Sequence, residues 1–167
     1  LTDVEDLVDR LEELERRVAA LESVRPEDAQ LPWAVARLRQ EFADAGKRTG
    51  GVLLAGAMQL PTGERFDWQA QYPTDAIVGD VWTIEAANCL AALADPVRLR
   101  LLQEIVYGRR TAADLAAIAE LGTSPEIYQH LRQLAAVGWL QTAGLGRFEV
   151  PESRLVPLLA VLAAAQR

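Results

Sequence analysis

The 167-residue chain reads as mainly α-helical with two short β-hairpins, and three observations lead there. Apolar residues recur at helical spacing through residues 96–137. Helix starts are written at Asp95-Pro96, Thr111-Ala-Ala-Asp114 and Ser124-Pro125, and stops at Gly108, Gly122 and Gly138. The period falls to two at residues 65–72 and 147–150, each stretch following turn residues. Half of the residues are hydrophobic, enough for the core of one domain with appendages.

From the beginning, residues 1–25 read as a parallel, dimeric coiled coil. Val4, Leu7, Leu11, Leu14, Val18 and Leu21 fall at a and d positions, a pattern that favours two strands. Arg10 and Arg17 at g would meet Glu15 and Glu22 at e of a parallel partner, whereas antiparallel pairing sets arginine against arginine. The alternative is an amphipathic helix packed on its own domain.

Pro26 stops this helix, and residues 32–80 form an accessory region. A helix starting at Pro32 ends by Gly46. The apolar run from Gly51 to Leu60, the turn Pro61-Thr-Gly63 and the alternating Arg65–Tyr72 then make a hairpin, with Phe66, Trp68, Ala70 and Tyr72 on one face. Because a lone ribbon is unstable, that face must be covered by Trp33, by a helix near Trp82 or by a partner. In one reading Trp33, Gly56, Met58, Phe66, Trp68 and Trp82 line a pocket for a small apolar or planar ligand. In the other they are an accessory core, which is favoured because half-buried strands show such alternation anyway.

Residues 82–167 form the last region. A helix opened by Asp95-Pro96 buries Val97, Leu101, Leu102, Ile105 and Val106, and a second, opened by Thr111, buries Leu115 and Ile118. A third, capped by Ser124 with Pro125 in its first turn, buries Ile127, Leu131 and Leu134 and leaves exposed amides at its start. Its opposite face carries Glu126, Tyr128, Gln129, Arg132 and Gln133, a set that includes donors able to read base edges and phosphates. A short hairpin follows, turning at Ala143-Gly-Leu-Gly146. The whole is a winged helix-turn-helix. The closing helix carries Leu155, Leu158, Leu159 and Leu162 and is apolar on nearly all sides. It is expected to dimerise, and either Pro157 lies in its first turn or the helix starts late.

Ala91-Ala-Leu-Ala-Asp-Pro-Val-Arg-Leu-Arg-Leu-Leu102, Asp114-Leu-Ala-Ala117 and Tyr128-Gln-His-Leu-Arg-Gln-Leu-Ala-Ala-Val-Gly-Trp-Leu140 resemble the ArsR-like winged-helix transcription regulators over about half the chain. The resemblance implies sequence-specific binding of double-stranded DNA by a two-fold homodimer, with the 124–137 helix in the major groove. By position it places Thr123, Ser124, Tyr128, Gln129, His130, Arg132 and Gln133 toward DNA and Arg147 of the wing on the backbone or minor groove. It also implies pairing of the last helix with its mate.

Metal sensing needs clustered cysteine, histidine and carboxylate ligands, whereas Cys89 and His130 are the only residues of their kinds and lie far apart, so neither metal nor cofactor is expected. Cys89 reads as a small buried apolar residue. His130 reads equally as a DNA contact or a hydrogen-bonding group at the core edge. Without a phosphate loop, nucleophile elbow or cysteine–histidine pair, catalysis is not expected. No apolar run has bilayer length and no signal peptide opens the chain, so the expectation is a cytoplasmic protein with no membrane partner. The net charge of −7 is uneven: residues 1–30 hold ten acidic and four basic side chains, residues 86–167 seven and eight. Arg98, Arg100, Arg109, Arg110, Arg132, Arg147 and Arg154 must therefore cluster to make a usable patch. The alternative is an interaction module whose acidic coil recruits a protein of the transcription machinery.

Overall fold

A computed structural model describes residues 8, 10–17, 32–80 and 82–166 of the chain. Backbone contacts divide it into two units, Leu1–Arg48 and Thr49–Arg167. The hairpin of residues 51–73 thus falls in one unit with the winged helix, not in a unit with the Trp33 helix as expected.

In the first unit, residues 10–17 are helical (α1), and the seam residues Leu11 and Leu14 are exposed. Val4, Leu7, Val18 and Leu21, the other residues of the expected seam, lie outside the described residues, as does Pro26. Helix α2 runs Trp33–Asp44, with an Arg37–Glu41 bond of 2.6 Å along its surface, and Gly46 follows at φ 71°. Phe42 is its buried residue.

The second unit opens with β1 (Gly51–Gln59) and β2 (Arg65–Pro73), antiparallel in a register that sets Gly56 opposite Trp68 and Met58 opposite Phe66. Phe66, Trp68 and Ala70 are half-buried, whereas Tyr72 at the far end is exposed. Within its unit the closing helix covers the ribbon: a Cβ added at Gly56 would lie 2.8 Å from Val156 Cγ2, so the missing side chain lets strand and helix approach. Gly56→Ala is expected to lower stability by about 1–3 kcal/mol through overpacking. Gly79, where an added Cβ meets nothing, provides the control, and paired thermal melts of the two variants read the difference.

A short helix α3 (Thr74–Asp80) precedes α4 (Ile84–Leu93), which Thr83 caps by accepting from the Ala86 N–H. Helix α5 (Pro96–Val106) starts as its sequence specifies, with the Asp95 carboxylate accepting from the Arg98 N–H at 3.0 Å. Helix α6 (Ala112–Ala116) has the expected Thr111–Asp114 capping box, and a single 3-10 turn leads to α7 (Ser124–Ala136). Strands β3 (Gln141–Ala143) and β4 (Arg147–Glu149) make the wing. At its tip Gly144, Leu145 and Gly146 all have positive φ, and Leu145 is fully exposed.

Helix α8 (Glu152–Ala164) corrects one expectation: it starts early, so Pro157 lies inside the helix, beyond the first turn. The carbonyl of Ser153 therefore lacks its usual donor four residues on. One core joins these helices, with Leu101, Ile105, Leu115, Ile127, Leu131, Leu134 and Leu158 at its fully buried centre.

Candidate nucleic-acid interface

The site is built on α7, whose fully buried Ile127, Leu131 and Leu134 fix the rotation of the helix and turn the remaining face outward. Its N-cap is Thr123 and not Ser124. The reason is Glu126, three residues on, which accepts from both the Thr123 N–H and its hydroxyl at 2.8 Å. Those bonds, the backbone one foremost, hold the Glu126 carboxyl below its ordinary pKa. A carboxylate thus sits where free amides were expected, and the Thr123 hydroxyl is committed to it. Ser124 is exposed in the first turn.

Tyr128, Gln129, Arg132 and Gln133 come together on the outward face and, with Pro125 and Ala136, line a shallow hollow. Tyr128 is 49% exposed, and Arg132 makes no ion pair among the described residues. Gln133 is partly committed, its side-chain carbonyl accepting from Arg98 at 2.8 Å. His130 is half-buried, its buried Nδ1 has no hydrogen-bond partner among the described residues, and it lies close enough to Asp95 to help lower that carboxyl's pKa, after the larger effect of the Arg98 N–H. Arg147 is exposed on β4, beside Thr111.

The expected arginine cluster is largely spent inside the domain. Arg98 donates to the carbonyls of Ala92 (2.5 Å) and Ala91 (3.1 Å) at the end of α4. Arg100 and Arg109 both grip the buried Glu104, at 2.7 and 2.9 Å. Arg110 pairs with Glu64 of the β1–β2 turn, whose carboxyl is held low first by the Thr62 hydroxyl and then by Arg110. Arg154 lies over the Trp139 ring, 5.2 Å from its centroid. Arg132 and Arg147 remain for a polyanion. These pairings join distant positions, and nothing in local sequence announces them.

Among the expected dimer contacts on α8, Leu155 and Leu158 are each 2% exposed within their own subunit, so they are core residues and not a mating surface. The stripe facing the β1–β2 hairpin and the core had to come from some side of an all-apolar helix. Leu159 and Val161 are exposed, Leu162 is half-buried, and Ile84 and Leu90 of α4 are strongly exposed.

The expected ligand pocket is also redrawn. Trp33 and Trp82 are each 82% exposed, and Met58 packs beside Gly56. Phe66 and Trp68 instead border a cleft of about 570 Å³ between the β1–β2 hairpin, the end of α5, the wing and the start of α8. Cys89 is half-buried at the core edge, its carbonyl accepting the Trp139 Nε1–H at 2.8 Å. Among the described residues no helix is long and apolar enough to cross a membrane.

Residues 93–138 match the family described as a helix-turn-helix domain. Comparisons with curated proteins and with solved structures returned no match. The chain therefore carries a helix-turn-helix domain, running from the end of α4 through α7, and this supports DNA as its partner and a regulatory role.

Proposed function

We propose that the protein is a sequence-specific transcription regulator of the ArsR-like type, a cytoplasmic repressor that binds a pseudo-palindromic operator as a homodimer and responds to no metal. The carrying observation is the outward face of α7, where Tyr128, Gln129 and Arg132 stand exposed above a fully buried apolar stripe. Two such helices about 34 Å apart would enter successive major grooves. Exposed Ile84 and Leu90 on α4, exposed Leu159 and Val161 on α8, and the exposed Leu11 and Leu14 of α1 support self-association.

Gel-shift titration against the protein's own promoter region, at two salt concentrations, tests this reading. Arg132→Ala is expected to weaken specific binding by about tenfold or more, the scale of one good base contact. With Arg132 and Arg147 alone uncommitted, among the described residues, of the seven arginines expected to cluster, the salt slope is expected to be shallow for a DNA-binding dimer. Equal affinity for promoter and random DNA would remove the proposal.

The same shortage of free arginine favours one alternative, an interaction module in which the acidic N-terminal segment recruits a protein of the transcription machinery. That reading predicts no promoter preference, and partner capture that survives Arg132→Ala.

A further inference from the structure

We infer that the cleft between the β1–β2 hairpin and the winged helix is a binding site for an organic cation with an aromatic or apolar body. Its apolar walls come from Leu60, Phe66 and Trp68 on one side and Val150 and Leu155 on the other, and its volume of about 570 Å³ suits a molecule of several rings. Among its lining residues the charge leans negative. The Arg110–Glu64 pair at one edge cancels itself, with Arg147 outside the lining but near enough to act on Glu64. Glu149 and Glu152 remain, Glu149 held by the neutral Gln141 amide at 2.7 Å and Glu152 at the first position of α8, and neither has a cationic partner among the described residues.

A carboxylate pair beside indole and phenyl faces is the arrangement that attracts a soft cation, through charge and through the ring quadrupoles together. An anion of the same shape meets repulsion from both. The inference is independent of the DNA-binding proposal: loss of operator binding would leave it standing.

The test uses two probes of matched size and opposite charge, tetraphenylphosphonium and tetraphenylborate, titrated into the full chain by calorimetry. Saturable binding of one phosphonium per chain is expected, with borate binding at least about tenfold weaker. The double variant Glu149→Gln/Glu152→Gln is expected to weaken phosphonium binding about tenfold, and Trp68→Leu to weaken it while conserving apolar bulk. Glu12→Gln/Glu13→Gln, which removes two carboxylates from α1, is expected to leave it unchanged and so controls for general attraction to an acidic protein. Equal binding of the two probes, full phosphonium affinity in the Glu149→Gln/Glu152→Gln variant, or an equal loss in the α1 control would each overturn the inference. Thermal melts verify that every variant is folded, and the two-glutamine variant decides the matter if Trp68→Leu is not.

Discussion

Trp139→Ala is expected to lose about 3–5 kcal/mol of stability, a large part of what a domain of this size has in total. The indole is 3% exposed and serves three elements together. Its Nε1–H reaches the Cys89 carbonyl on α4, its face carries the Arg154 guanidinium of α8, and its backbone N–H closes the end of α7 on the Leu134 carbonyl at 2.9 Å. Truncation therefore leaves a cavity where α4, α7 and α8 converge and removes the bond between α4 and the segment that links α7 to the wing. Trp139→Phe keeps most of the apolar area and forfeits the bond to Cys89, a loss of about 1 kcal/mol. Urea unfolding followed by circular dichroism separates the two. Indistinguishable midpoints for the alanine variant and the parent would mean that the three helices are held by other contacts.

Arg98→Ala is expected to cost about 2–3 kcal/mol, more than removal of any other arginine of the domain. Its side chain is only 15% exposed, and its guanidinium donates to the Ala92 carbonyl and shares the Ala91 carbonyl with the Ala94 N–H at the C-terminus of α4, while holding Gln133 of α7 and lying 3.6 Å from Asp95. Arg98→Lys should recover less than half of the loss, because an ammonium cannot place donors on Ala91, Ala92 and Gln133 together. A double-mutant cycle with Gln133→Ala is expected to show coupling of about 0.5–1.5 kcal/mol. Additive losses would show that Arg98 braces α4 without reaching α7.

What local sequence fixes, it fixed legibly. Asp95-Pro96, Thr111 with Asp114 and the glycines after α5 and α7 each specify a cap or a turn within a few residues, and the helices begin and end there. The start of α7 shows how narrow the margin is. Thr123 and Ser124 are both good caps, but Glu126 can bond back to Thr123, whereas the residue three after Ser124 is the apolar Ile127. Helix α3 left no readable period because seven residues give barely two turns. The apolar face of α7 was legible from Ile127, Leu131 and Leu134. That of α8 was not, since a helix apolar all round does not say which leucines meet its own core. The fate of the arginines lies further from reach: Arg98 with Gln133 and Arg110 with Glu64 are pairs made only when the chain has folded. For that reason the surface available to a polyanion is smaller than composition suggests.

The proline within α8 has a mechanical consequence. Where Pro157 interrupts the ladder, the opening turn and the longer remainder are joined by one unmade rung, so the two need not melt or tilt as a single rod. Leu155, Val156 and Leu158, buried on both sides of the break, keep both pieces seated. The helix thus carries one missing rung between two anchored pieces, and its hydrogen-bond ladder is weakest there.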